Sequence, residues 1–141
     1  MTADQEKMGP HHVQWAAQFA TAAELCKRRY SVSFTMGNAT PIADLLVMAP
    51  SGVAFSVDVK GQSTKNFWRV KSKADTANLF YVLCYVAPLG SSTRFFVLPQ
   101  TELKVLMQKY ERSGVKFDPK WSGFNWTSCL PFEDRWDSLP K

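Results

Sequence analysis

At 141 residues the chain has the length of one domain, and 45% hydrophobic with 13% aromatic residues is enough to build a core, which excludes intrinsic disorder. No apolar run reaches the roughly 18 residues of a membrane-spanning helix, and the three cysteines (Cys26, Cys84, Cys129) are too scattered for a disulfide framework or a zinc site. The net charge of +5 is compatible with nucleic acid as a partner, and reduced, isolated thiols are those expected of a soluble cytoplasmic protein.

The N-terminal stretch is polar and carries acids, without the basic start and apolar run of a secretory signal. Residues 1–12, with His11 and His12, are expected to form a flexible lead. Residues 13–29 have a helical pattern, alanine-rich and free of Gly and Pro. One row runs Trp15, Phe19, Ala22, Cys26. A second runs Val13, Ala17, Ala20 and ends in the carboxylate of Glu24. Lys27, Arg28 and Arg29 then close the helix, where cations suit the negative end of its dipole.

Residues 30–35 predict a strand, and Gly37, Asn38 and Pro41 mark 36–41 as a loop. Residues 43–49 are an apolar strand with one charge, Asp44. A turn at 50–52 leads into a strand over 53–60. Val53, Phe55, Val57 and Val59 face one way there, and Ala54, Ser56, Asp58 and Lys60 the other. Residues 61–77 are polar, basic and mostly loop, with a short strand at 67–70. The run 79–87 reads as a buried central strand, paired with 94–98. A helix follows to about residue 112, with Leu103, Leu106, Met107 and Tyr110 on one side. The tail carries Phe117, Trp121, Phe124, Trp126, Phe132 and Trp136, and is expected to pack irregularly across the body, since so many exposed aromatics would promote aggregation. The order is α-β-β-β-β-β-α, an α/β domain with a mixed central sheet flanked by helices.

If the turn is residues 50–52, Ala49 opposes Val53 and Asp44 opposes Asp58. Directly opposed residues of an antiparallel pair share a face, with Cβ atoms about 4.5–5.5 Å apart. Two carboxylates so placed repel unless a cation lies between them or one is protonated. Lys60 follows on the same face. Two carboxylates form an oxygen-donor site for a hard divalent ion, and a neighbouring lysine can orient water or offset negative charge on a phosphate. A shift of register by one residue would separate the acids, so the arrangement depends on the turn.

Asp44, thirteen intervening residues, then Asp58-Val59-Lys60 resembles the PD-(D/E)XK signature of the restriction-endonuclease-like nucleases. Glu24 matches the upstream helical acid of that family, and Gln62 the polar residue often found after its lysine. Ala43 stands where the motif has proline, with Pro41 close by. The resemblance covers roughly residues 13–112 of a single nuclease-like domain at 13–141, and leaves 113–141 as an aromatic extension. It implies a restriction-endonuclease-like core and Mg²⁺ or Mn²⁺ held by Asp44 and Asp58, with Glu24 as a further acid at the metal. It also implies Lys60 as catalytic lysine, Gln62 in support, and an endonuclease acting on DNA in preference to RNA. Resolvase-like members act as homodimers, so a homodimer fits as well. The basic, aromatic-bearing loop that follows offers Lys65, Trp68, Arg69, Lys71 and Lys73 as nucleic-acid contacts. Two other readings stay open: a nuclease fold that binds nucleic acid without cutting it, and a protein-interaction module of the immunity or antitoxin kind.

Overall fold

The computed structural model describes residues 7–35, 43–114 and 122–141. The start of the N-terminal lead, the loop at 36–41, and Phe117 and Trp121 of the tail lie outside the described residues. Helix α1 (Pro10–Lys27) is followed by strands β1 (Ser31–Phe34), β2 (Leu45–Met48) and β3 (Ala54–Gln62). After the two-residue β4 (Trp68–Arg69) come β5 (Leu79–Tyr85), β6 (Arg94–Pro99) and helix α2 (Gln100–Glu111). Strand β7 (Gly123–Phe124) and helix α3 (Trp126–Cys129) lead into two 3-10 turns, Leu130–Phe132 and Trp136–Ser138. Among the described residues no helix is long and apolar enough to cross a membrane.

The five-stranded sheet has the order β1-β2-β3-β5-β6, and β4 pairs with β7 in a separate ribbon. All pairs in the main sheet are antiparallel except β3 with β5, so the sheet is mixed and flanked by helices, as expected. The hairpin register pairs Leu45 with Val57 and Met48 with Ala54, the register that the turn at 50–52 requires.

Each face of the sheet has its own core. On one, Val13, Ala17 and Leu25 of α1 pack against Leu45, Val47, Val57, Val59, Val82 and Val97. On the other, Leu103 and Met107 of α2, with Trp68, Phe124 and Cys129, cover Tyr81, Leu83, Phe96 and Leu98. Helix α1 starts at Pro10, earlier than expected, because proline suits the first helical position; His11 and His12 therefore belong to its first turn rather than to a lead. Of its two rows the one through Val13 and Ala17 is buried, joined by Thr21 and Leu25, while Trp15 and Phe19 stay largely exposed.

Gly61 explains how closely α1 approaches β3. A Cβ there would lie 2.6 Å from the Ala17 Cβ and 3.1 Å from the Val13 carbonyl oxygen. Gly123 does the same for the small ribbon: its φ is +142°, and a Cβ would stand 1.8 Å from the Trp68 carbonyl oxygen. The loop after β3 is thus tied to the C-terminal tail.

Candidate active site

Strand β3 has two unlike faces. Val57 and Val59 enter the α1 core, and Asp58 and Lys60 point the other way, beside Tyr81 and Leu83 of β5. Asp58 is 2% exposed. A buried carboxylate needs partners, and two lysines supply them. The Lys60 Nζ lies 2.9 Å from Asp58 Oδ1, and the Lys73 ammonium donates to Oδ2. Lys60 sits outside hydrogen-bond geometry, so among the described residues the buried Oδ1 accepts no hydrogen bond.

Asp44 stands one residue before Leu45, where β2 stops pairing. Beyond that point the edge of β3 would carry unpaired backbone groups, and side chains take them. Asp44 Oδ2 accepts the Val59 N–H at 2.8 Å. Gln14 of α1 donates to the Val59 carbonyl at 2.8 Å and accepts the Gly61 N–H at 3.1 Å. Gln18, one turn further along α1, donates to Asp44 Oδ1 at 3.4 Å. The Asp44 carboxyl therefore lies in the line of the sheet edge rather than simply on the Asp58 face. Burial raises its pKa, and the charge of Asp58 raises it further, against the opposing pull of the Val59 N–H, Lys60 and Lys73. The two acids and two lysines thus act on one another electrostatically.

Other predicted residues go elsewhere. Glu24 pairs with Arg28 at 2.5 Å and with Lys27 at 3.6 Å on the last turns of α1. It is six residues past Gln18, roughly 9 Å along the helix and on another side, so the structure does not bring it to Asp44. The α1 side chains at the site are Gln14 and Gln18. Their spacing of four on a helix whose neighbouring positions are apolar was a signal available in the sequence. Gln62 donates to the carbonyls of Thr64 and Asn66 at 3.0 and 2.8 Å, bracing the turn after β3.

Trp68 is corrected from nucleic-acid contact to core. It is 1% exposed, stacks on Trp126 with ring centroids 5.8 Å apart, and donates its indole N–H to Cys129 Sγ at 3.3 Å. A ring so enclosed cannot stack on a base. Lys65, Arg69 and Lys71 are exposed on the same segment, with the Lys65 ammonium 5.5 Å from the Tyr85 ring centroid. Lys73, expected to contact phosphate, is instead at Asp58.

Among the described residues no group of three or more His, Cys, Asp or Glu side chains converges on a metal position. The donor set is two carboxylates, one of them with a buried oxygen that accepts no hydrogen bond. This fits Mg²⁺ or Mn²⁺, hard ions that take one or two carboxylates and fill the remaining positions with water and substrate phosphate.

No family model matches the chain, and none of the curated proteins does. Among solved structures, the chain shares the fold of a nuclease. That structure is a bacterial homing endonuclease, I-Ssp6803I, matched at a TM-score of 0.56 with 18% sequence identity over 94% of this chain and 91% of that one. At this identity the likeness carries the fold.

Proposed function

We propose that the chain is a metal-dependent nucleic-acid phosphodiesterase of the PD-(D/E)XK type, an endonuclease with DNA as the favoured substrate. The observation that carries this reading is the gathering on β3 of two carboxylates and a lysine: Asp44 accepts the Val59 N–H, and the buried Asp58 beside it has Lys60 at its Oδ1. The shared fold with a homing endonuclease and the exposed basic segment at Lys65, Arg69 and Lys71 support it.

Asp44 and Asp58 would hold Mg²⁺ or Mn²⁺. A bound divalent ion supplies Lewis acidity at the phosphate and lowers the pKa of water. Lys60, one-third exposed beside Asp58, offsets negative charge gathering on the phosphate or orients water. Asp44 is held by the Val59 N–H and Gln18, which fixes its direction before substrate arrives. Glu24 has no part in this site. Gln62 supports it through the turn that it braces. Lys65, Arg69 and Lys71 contact the phosphate backbone, which gives affinity rather than sequence preference.

The test is cleavage of supercoiled, linear, single-stranded and four-way-junction DNA, and of RNA, with Mg²⁺ or Mn²⁺. Wild type is run beside Asp58→Asn, Lys60→Ala and an EDTA control, with folding checked by circular dichroism. Metal-dependent cutting lost in both variants is the expected result. Salt-sensitive binding by folded protein without any cutting would replace this reading with that of a nucleic-acid-binding protein.

A further inference from the structure

Lys73 belongs to a segment with no regular structure, yet its backbone is fixed on both sides. Upstream, Trp68 and Val70 are buried, the Val70 N–H donates to the Ser122 carbonyl at 3.0 Å, and the Ser122 hydroxyl donates to the Val70 carbonyl at 2.7 Å. Downstream, the buried Gln100 side chain donates to the Ala74 carbonyl at 3.0 Å and accepts the Thr76 N–H at 2.8 Å. Gln100 is one of few buried polar residues among those described, and both of its amide atoms serve this segment. The fold thus brings the Lys73 backbone to the site and leaves its four-carbon stem to span the remaining gap.

Both Asp58 oxygens have an ammonium within ion-pair distance, Lys60 at Oδ1 and Lys73 at Oδ2. A divalent cation drawn to the same carboxylate would stand a few ångströms from both and be repelled by both. Lys60 is carried by β3 itself. Lys73 reaches in from the loop, is 26% exposed, and shares its segment with the exposed Arg69 and Lys71. Of the two lysines it is the one with somewhere to go.

Resting on the phosphodiesterase reading above, we infer that Lys73 is a displaceable counter-ion. It neutralises Asp58 in the metal-free chain, leaves when a divalent cation binds, and then pairs with a phosphate of the nucleic acid. Metal loading and substrate binding are thereby coupled: the cation that takes Asp58 releases one positive charge toward the substrate.

Mn²⁺ binding to the full-length, metal-free chain, followed by electron paramagnetic resonance of free Mn²⁺, tests the exchange without any turnover. Lys73→Gln is expected to tighten Mn²⁺ about tenfold, as removal of a competing cation worth one decade would. Lys71→Gln, which removes the same charge two residues away, is expected to change it less than about twofold. Equal tightening by both variants would make the effect one of bulk charge and overturn the inference, as would no tightening by Lys73→Gln. Acetylation footprinting of wild type needs no variant. Lys73 should acetylate severalfold faster once Mg²⁺ is added and be protected again by DNA, with Lys71 indifferent to the metal; a Lys73 rate unmoved by Mg²⁺ overturns the exchange. If folded wild type and Lys73→Gln both fail to bind Mn²⁺, the inference and the phosphodiesterase reading fall together. If wild type binds Mn²⁺ and only the Lys73 effects are missing, the phosphodiesterase reading stands alone.

Discussion

Glu24 and Asp58 are each flanked by two cations, the one partly exposed on a helix and the other buried in the sheet. Glu24 sits on a helix surface with Lys27 and Arg28 three and four residues away, and its side chain is 25% exposed. Asp58 sits mid-strand at 2% exposure, and its second lysine comes from a loop fifteen residues later. Water screens the first cluster and shares its charges, so it contributes little to stability. In the second the carboxylate itself has lost that water, so it depends on its two partly exposed lysines. A carboxylate with two cations is common on protein surfaces; one built across elements in a buried position is the pattern that points to chemistry.

The comparison breaks most visibly at Asp58. Asp58→Ala leaves two ammonium groups facing a sheet without their acid and should cost about 3 kcal/mol in urea unfolding. A loss no larger than that of Glu24→Ala would make the two clusters equivalent. Gly61→Ala comes next. It pushes α1 away from the strand that carries Asp58 and should cost about 1–3 kcal/mol in thermal unfolding, partly restored by Ala17→Gly, which removes the opposing methyl group. Glu24→Ala should cost less than about 1 kcal/mol, with cleavage unchanged.

The smallest expected effect is one of sign. Arg28 hydrogen-bonded to Glu24 lowers the carboxyl below its ordinary 4.5, so ionised Glu24 stabilises the fold above that value, and the contribution is lost as pH falls through the lowered pKa. Asp44 is raised above 3.8, first by burial. Its native state holds the proton more tightly than the unfolded chain does, so ionisation costs stability at neutral pH, and the cost vanishes as pH falls toward 3.8. Measured in EDTA, Asp44→Asn should therefore be more stable than wild type at neutral pH, with a gap that closes on acidification. Glu24→Gln should be slightly less stable, with its gap also closing in acid. Gaps of the same sign for both would contradict the electrostatic difference between them.

The hairpin was legible in the sequence because its information is local: Pro50, Ser51 and Gly52 set the turn, and alternation along β3 sets the faces. The fate of Trp68 was not. Its burial depends on Phe124, Trp126 and Cys129, far along the chain, and nothing in the basic loop announces those partners. Lys73 announces only its charge in the sequence, and that charge suits a phosphate and a carboxylate equally well. Glu24 fell on a row of apolar helix positions, but the packed row continues through Thr21 and Leu25. Side chains that finish a sheet edge, as Gln14 and Asp44 do, become visible only once it is known where β2 stops.

Strand β7 pins the segment behind Trp68 and so helps fix the Lys73 backbone. A nascent chain that has left the ribosome only as far as α2 already contains Asp44, Asp58, Lys60 and Lys73, together with Gln100 that holds the Lys73 segment downstream, but not the residues that fasten it upstream. The Lys73 loop would then gain its second anchor late in translation, once Gly123 and Phe124 have emerged, and a truncated product would carry the acids of the site and their loop without the strand that holds the loop in place.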